Sequence, residues 1–181
     1  MTRTYVALLR AVNVGGTGKL PMANLKALCE AAGFERVRTW IASGNVVFQS
    51  SLAAPLVKAA LELRLAAYAG KPVGVAIRTP QQLAEVLANN PFAHAPPNRT
   101  VAIFLDQPPG ASALQGIAGQ AGEEIAIGRC EIYVLYGASM AQSKLRIPAA
   151  KAGTARNMNT LLKLCNMANA AVTAAAGPKR R

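Results

Sequence analysis

Acidic residues and histidine are scarce in this chain of 181 residues. It contains eight acidic side chains, of which only Asp106 is an aspartate, and one histidine, His94, in a proline-rich segment. The one adjacent acidic pair, Glu123 and Glu124, is typical of a solvated strand start. Paired-carboxylate catalysis, carboxylate metal sites and histidine-based acid–base catalysis all need side chains that this composition barely supplies. The composition therefore argues against a hydrolase or a metalloenzyme, and no metal or cofactor is predicted.

Cysteines and long apolar runs are also few. Cys29, Cys130 and Cys165 lie far apart and form no C-x-x-C pattern, so neither a zinc site nor a disulfide framework is predicted. No stretch approaches the roughly 20 apolar residues that span a bilayer, and none resembles a signal peptide. With 52% apolar and 15% charged residues, the chain has a globular composition. The sequence thus predicts a cytoplasmic protein with reduced thiols and no membrane partner.

Positive charge is abundant and unevenly distributed. The formal net charge is +12, and no acidic residue follows Glu131. The basic residues after that point are Lys144, Arg146, Lys151, Arg156, Lys163, Lys179, Arg180 and Arg181. Such asymmetry indicates an anionic partner, either a small ligand or nucleic acid bound without sequence specificity. The alternative interpretation is a solvated basic face followed by a basic tail.

Hydrophobic periodicity predicts an α+β fold in two halves. In residues 1–79 the pattern reads strand, helix, strand, strand, helix, strand, with strands at 4–14, 36–42 and 45–50 and a last strand alternating from Val73 to Ile77. That order is the ferredoxin-like split βαβ arrangement. Leu52, Leu56, Ala59 and Leu63 mark the second helix, which ends near Gly70.

The second half, residues 80–170, has a related but degenerate rhythm. Thr79 and Gln82 form a capping box that opens its first helix. A strand near residues 101–105, a weak helix at 113–121, a hairpin turning at Gly128 and a final helix follow, without a clear last strand. Residues 171–181 are interpreted as a basic, disordered tail. A degenerate duplication of the first half is one interpretation of this order.

Polar residues that could carry chemistry collect in clusters at strand ends and helix starts. A glycine-rich turn before a helix presents backbone N–H groups to an anion, and amides with a guanidinium at a helix start do the same. The turn before Lys19 does not match the P-loop pattern, since Asn13 and Leu20 stand where Gly and Ser or Thr are needed. Ordinary loop, hairpin and capping roles are the alternative for each cluster. The candidate anion-binding residues are Arg10, Asn13, Gly15, Gly16, Lys19, Ser43, Gly44, Asn45, Lys144, Arg156, Asn157 and Asn159.

Segments around these clusters resemble a known family. They are LLRAVNVGG at 8–16, KLPM at 19–22, VRTWIASGNVVF at 37–48, NPF at 90–92, SKL at 143–145 and TARNMNT at 154–160. Together they resemble the bacterial family called domain of unknown function 1697 (DUF1697), from residue 4 to about residue 168. The resemblance implies an α+β fold of ferredoxin-like halves and no established activity, substrate or catalytic residue. Trp40 stands where the family usually has Tyr, and Met158 where it usually has Trp.

Three functions remain open on the sequence. The leading hypothesis is a binding module for an anionic ligand, which is a phosphate-bearing small molecule or nucleic acid, without an assignable catalytic group. The second is an enzyme that acts on a small phosphorylated or carboxylated substrate, and it predicts that the clusters converge in one pocket. The third is an oligomeric interaction protein, for which the sequence predicts no particular stoichiometry.

Overall fold

The structure is a computed structural model that describes residues 1–13, 19–137 and 140–175. Contacts divide the chain into two compact units, the first from residues 1–83 and 163–181, the second from residues 84–162. The sequence analysis places residues 80–170, including the last helix, in the second half. In the structure the boundary between the units falls within that helix, between Leu162 and Lys163. Within the described residues, no helix is both long and apolar enough to cross a bilayer.

The first unit contains an antiparallel four-stranded sheet with two helices between its strands. The elements are β1 Arg3–Leu9, α1 Met22–Ala31, β2 Glu35–Trp40, β3 Asn45–Ser50, α2 Ala54–Ala69 and β4 Val75–Arg78. The strand order is β2-β3-β1-β4, and β1 pairs with both β3 and β4. This order confirms the predicted ferredoxin-like arrangement, in which the first and third strands form the centre of the sheet.

Both faces of this sheet are covered. All six residues of β3 are buried, which indicates a strand packed on two sides rather than one. On one face Phe48 stacks on Phe34 with ring centroids 4.4 Å apart, within the core formed with α1 and α2. On the other, the Gln49 amide donates to the carbonyl of Ala171 at 3.0 Å.

Two strands are shorter than their sequence patterns predict. β1 ends at Leu9 instead of Val14, and β2 ends at Trp40 instead of residue 42. The residues that follow adopt left-handed backbone conformations, with φ of 48° at Ala11, 56° at Asn13 and 48° at Ile41. A left-handed residue interrupts regular strand pairing, so the apolar character of Ala11, Val12 and Ile41 extends beyond the regular structure. Within β2, the left-handed Arg36, with φ of 52°, coincides with a shift of the pairing register.

The exposed face of α2 is apolar. Its buried residues are Val57, Leu61 and Leu65, whereas Leu56 and Leu63, which mark the helix in the sequence, are 58% and 74% exposed. The helix is therefore apolar around most of its circumference, and its sequence period alone does not identify the buried face.

The second unit contains a sheet with the same topology. Its strands are β5 Thr100–Phe104, β6 Glu124–Ile127, β7 Glu131–Leu135 and β8 Thr154–Asn157. Their order, β6-β7-β5-β8, repeats that of the first sheet when each strand is matched to the one four places earlier. This repetition confirms a related, degenerate second half. The predicted absence of a last strand is wrong, because β8 pairs antiparallel with β5 through residues such as Arg156 and Ala102.

No helix forms at residues 113–121, contrary to the sequence pattern. The segment consists of turns, and Gly116 and Gly119 have φ of 71° and 69°. Its end is held instead by a bridge between Ala118 and Arg146, with backbone hydrogen bonds of 3.1 and 2.8 Å. Glycine favours such left-handed positions and disfavours a helix interior, which outweighs the local apolar spacing.

Two helices flank the second half, α3 at Pro80–Ala88 and α4 at Met158–Ala175. The predicted capping box is confirmed: Gln82 N donates to Thr79 Oγ1 at 3.2 Å, and Thr79 N donates to Gln82 Oε1 at 2.9 Å. Residues 171–175 are helical, so the predicted tail does not start at 171. Residues 176–181, including Lys179, Arg180 and Arg181, lie outside the described residues.

Thiol accessibility offers a first test of this fold. Cys29 is fully buried in the first unit, and burial, reinforced by the charge of Glu30, raises the pKa of its thiol to about 12. Because the thiolate is the reactive form, we expect iodoacetamide at about pH 8 to leave Cys29 unmodified in the native protein and to label the half-buried Cys130 first. Peptide mass spectrometry would measure this, with the protein in guanidinium chloride as the control in which all three react. Rapid native labelling of Cys29 would contradict the placement of α1.

Candidate functional site

The first two predicted clusters meet at one place in the first unit, where β1 and β2 end. The side chain of Asn13 joins three segments there. Its amide donates to the carbonyls of Leu20 at 2.9 Å and Ala42 at 2.7 Å, and its Oδ1 accepts from the N–H of Leu20 at 2.7 Å. We call this arrangement the corner, formed by residues 9–13, 19–20 and 41–45. Asn13 binds the backbone of Leu20, the residue after Lys19, on both its N–H and its carbonyl group.

Gly44 brings the β2–β3 turn against β1. Its carbonyl accepts from the N–H of Leu9 at 2.8 Å, and its φ is 77°. A Cβ at this position would lie 2.8 Å from Leu9 Cβ and closer still to Val12 Cγ2. Only glycine satisfies both the conformation and the close approach. The glycine of the SGN turn is therefore required for packing of the corner.

Ser43 and Asn45 lie within the same turn. Asn45 is fully buried, and its amide donates to Trp40 O at 3.0 Å and Ser43 Oγ at 2.9 Å. Trp40 in turn lies under the ammonium group of Lys163, 4.8 Å from the ring centroid. These contacts give Asn45 a role in shaping the turn, and ligand binding by Ser43, Gly44 and Asn45 stays a prediction.

Backbone strain is concentrated at the corner. The described residues contain four non-glycine residues with positive φ, and Ala11, Asn13 and Ile41 of the corner are three of them. The conformation is most unfavourable for β-branched Ile41, which is also 48% exposed. Strain of this kind persists where the surrounding contacts over-determine the backbone, and it is frequent at ligand-binding sites.

A cavity of about 270 Å³ opens beside the corner. It lies between the end of β1, the segment before α1 and the last turn of α2. Its lining residues are Ala11, Val12, Lys19, Leu20, Leu65, Tyr68, Ala69, Lys71 and Val73. Lys19 and Lys71 are the charged members of this set, and no acidic residue is among those described. The floor is apolar, with Leu65 1% exposed and Leu20 4% exposed.

Arg10 lies on the neighbouring side of the corner. Its backbone N–H donates to Gly74 O at 2.9 Å, and its Cδ would lie 3.7 Å from a Cβ built on Gly74. Arg10 therefore contacts Gly74, just before β4, and Gly74 is the neighbour in sequence of Val73 in the cavity lining. Gly15 and Gly16, the other candidates of the first cluster, lie outside the described residues.

The third cluster belongs to the second unit. Arg156 is 8% exposed in β8, and its guanidinium donates to Thr154 Oγ1 at 2.9 Å and Ala155 O at 2.8 Å. Burial lowers the pKa of Arg156 to about 10, which leaves it protonated at neutral pH. Asn157 accepts from Thr160 N at 2.9 Å and so caps α4. Asn159 is exposed in the first turn of that helix.

Lys144, the remaining candidate, follows a tightly held loop of the second unit. The Ser143 hydroxyl donates to a carboxylate oxygen of Glu123, and the Ala121 N–H donates to the other oxygen at 2.5 Å. These bonds hold the pKa of Glu123 below its usual range. A Cβ at Gly119 would overlap the carbonyl of Lys144, so the two segments are in close backbone contact. The side chain of Lys144 is exposed.

Met158 occupies a packing position. Its side chain is 5% exposed within the core of the second unit. An unbranched, flexible side chain can fill a gap shaped for a larger residue. The Met that stands in place of the family's usual Trp is therefore a buried side chain in this protein.

The sequence analysis did not identify Lys71, Tyr68 or the apolar cavity floor. Lys71 follows the αL cap of α2 at Gly70 and had no neighbouring polar residues in the sequence to single it out. The sequence feature that could have pointed to Lys71 is its place directly after a helix C-terminus. A lysine there is usually explained by its favourable interaction with the helix dipole. Among the described residues, no group of three or more His, Cys, Asp or Glu side chains could hold a metal ion.

Comparisons with known proteins address the family and the fold. The model of a family described as "Protein of unknown function (DUF1697)" matches residues 1–133. A solved structure, that of the conserved bacterial protein SP0830 from Streptococcus pneumoniae, is similar with a TM-score of 0.76 and 22% sequence identity, covering 93% of this chain and 99% of that one. At this identity the likeness shows the fold alone. None of the curated proteins matches the chain.

Proposed function

Because the chain belongs to the DUF1697 family, whose description assigns no activity, we propose a function from its own side chains: it is a binding module for a small anionic ligand. The ligand is held in the cavity beside the corner. The observation that carries this proposal is that Lys19 and Lys71, which are far apart in sequence, line one cavity with no acidic residue among its described lining.

The local charge supports an anion. Two ammonium groups at one cavity repel each other in the free protein, and a bound negative charge relieves that repulsion. The chain as a whole carries a net charge of +12, which raises the local concentration of anions and their association rates. Neither Lys19 nor Lys71 has a carboxylate partner among the described residues, in contrast to Lys26 and Lys58, which form ion pairs with Glu30 and Glu62.

The shape of the site favours a small molecule over nucleic acid. Non-specific binding of single strands uses exposed aromatic side chains on which bases stack. In the first unit Tyr5, Phe34 and Phe48 are buried, and Lys163 lies over the ring of Trp40. Tyr68 is exposed at the cavity, and a single exposed ring offers little surface for stacking successive bases. The cavity instead has a volume of about 270 Å³, just below the range of roughly 300–1,000 Å³ that is usual for ligand pockets.

The residues of the cavity also favour binding without chemistry. General acid–base catalysis relies mostly on His, Glu or Asp, and nucleophilic catalysis on Ser, Cys or Thr with an adjacent base. None of these residue types is among the described lining residues. An enzyme acting on a phosphorylated or carboxylated substrate would need Lys19, Lys71 or Tyr68 as its catalytic group, so binding is the simpler assignment.

A titration followed by amide NMR of the full chain tests the proposal. We expect potassium acetate or potassium phosphate, added at constant ionic strength against potassium chloride, to shift the amide signals of Leu20, Lys71 and Val73. The double variant Lys19→Gln/Lys71→Gln should weaken binding about tenfold or more, because it removes both cations from the cavity. Lys26→Gln is the matched control, since it removes one exposed lysine outside the cavity and should leave binding unchanged.

Two results would contradict the proposal. One is the absence of anion-dependent shifts at the cavity. The other is equal binding by the wild type and the double variant. Filter binding of mixed RNA and DNA at low and high salt separates the nucleic-acid alternative, for which retention should fall steeply with salt.

A further inference from the structure

The cavity contains more apolar surface than an inorganic anion can use. Val12, Leu20, Leu65 and Val73 contribute aliphatic side chains from four different segments. Val12 and Leu20 are kept in position by Gly44 and Asn13 of the corner. A ligand that is only a charged group would make no contact with these side chains. An apolar body would pack on the part of them that faces the cavity, which is small for Val12, Leu20 and Leu65 and larger for the half-buried Val73.

The two lysines differ in their surroundings. Leu65, Tyr68 and Ala69 come from the last turn of α2, which ends at the αL residue Gly70. The carbonyl groups at a helix C-terminus carry the equivalent of about half a negative charge, and Lys71 is placed to offset it. Lys19 lies at the other side of the cavity, in the segment before α1. The remaining positive potential thus suits one negative charge better than two, which favours a carboxylate over a phosphate monoester dianion.

The cavity volume limits the ligand. A volume of 270 Å³ corresponds to about nine water molecules, since each occupies about 30 Å³ of liquid. A ligand that fills it therefore has about ten non-hydrogen atoms. The Tyr68 hydroxyl accepts a hydrogen bond from the Asn24 amide at 2.8 Å and retains its own proton as a donor. Tyr68 can therefore donate to a carboxylate oxygen.

From these observations we infer that the ligand is an amphiphilic monocarboxylate of about ten non-hydrogen atoms. Its carboxylate binds to Lys19 and Lys71, and its aliphatic or aromatic body packs on Val12, Leu20, Leu65 and Val73. This inference rests on the proposed function, since it names the ligand class for the same site. It goes further in requiring the apolar body, which the proposed function does not.

A series of ligands with constant head group tests the inference. In the same amide NMR titration, butyrate, hexanoate and octanoate should bind progressively more tightly, by at most about threefold to fourfold for each added methylene group, until the cavity is full. Hexanol and hexylamine, which lack the negative charge, should bind at least about tenfold more weakly than hexanoate. Hexyl phosphate should bind no more tightly than hexanoate.

The variant Val73→Thr distinguishes the contribution of the ligand's apolar body to binding from that of its carboxylate head group. It keeps the shape of a half-buried side chain but adds a hydroxyl group to the apolar wall. We expect hexanoate to bind about threefold more weakly to this variant, with butyrate affected less. Lys26→Gln again serves as the control that should leave both ligands unchanged.

The possible failures are distinguishable. If affinity does not change with chain length, the inference is wrong while anion binding stands. If hexyl phosphate binds much more tightly than hexanoate, the monocarboxylate class is wrong and the site holds a dianion. If hexanol binds as tightly as hexanoate, both the inference and the proposed function are wrong, because the lysines then contribute nothing.

Discussion

Replacing Gly44 with alanine is expected to lower the free energy of unfolding by about 2 to 5 kcal/mol. Two costs add at this position. The left-handed backbone, with φ of 77°, costs a residue with a Cβ about 1 to 2 kcal/mol. The new methyl group would also overlap Val12 and Leu9, and overpacking of a close contact costs about 1 to 3 kcal/mol more. Urea unfolding followed by far-ultraviolet circular dichroism would measure the change.

Gly33→Ala is the matched control for this prediction. Gly33 has a φ of 79°, nearly that of Gly44, but a Cβ there would meet no atom within 4 Å. The control should therefore lose only the conformational part, about 1 to 2 kcal/mol. If both variants lose the same stability, the close packing of the corner is not as described here.

The first half of the fold was predictable because its local signals agree with each other. The end of α2 at Gly70 and the strand at β3 both form as their residues indicate, and the capping box at Thr79 and Gln82 forms at the start of the second half. Such agreement between capping, turn and periodicity signals is what allows a sequence to specify a structure. The errors lie where a left-handed residue ends a strand early, as at Ala11 and Ile41, because an apolar pattern carries no information on φ.

The second half was predicted less well for a related reason. Its sheet repeats the topology of the first, but turns stand in the place of the helix between β5 and β6. The alanine-rich stretch near Ala113 has the composition of a helix, and the glycines at 116 and 119 override it. The strand β8 is only four residues long, so its alternation is too short to recognise in TARN.

The candidate site was predicted in part. The sequence analysis gave Arg10 and Asn13 as one cluster and Ser43–Asn45 as another, and the structure joins the two through Asn13 and Gly44. Anion binding by these residues stays a prediction. The Asn13 side chain is used within the protein, however, and the cations of the cavity come from Lys19 and Lys71. Residues brought together only by tertiary folding, such as Leu20 and Leu65, leave no mark in a local pattern. The cavity therefore could not be read from the sequence.

Asn13→Asp should destabilise the protein by about 2 to 3 kcal/mol at neutral pH, with almost no change in side-chain shape. The amide of Asn13 donates to the carbonyls of Leu20 and Ala42, and a carboxylate cannot donate to either. The new negative charge would face two carbonyl oxygens at 2.9 and 2.7 Å, while the bond from the Leu20 N–H is retained. Because Asn13 positions the segment that carries Lys19, anion binding at the cavity should weaken as well.

The pH dependence gives this prediction a distinct signature. Repulsion from the two carbonyls disfavours the charged form, so the pKa of the new carboxyl group should be higher in the folded than in the unfolded protein. Protonation of the carboxyl group removes this repulsion and so raises the stability of the variant. The gain is fully present below the unfolded pKa of about 4, and it is lost as the pH rises through the folded pKa. The stability gap to the wild type should therefore narrow on acidification. Asn159→Asp, an exposed change in the first turn of α4, should not destabilise the protein at neutral pH, because a negative charge at a helix N-terminus is favourable by up to about 1 kcal/mol. A gap for Asn13→Asp as small as this control, or one independent of pH, would show that Asn13 does not hold the corner together.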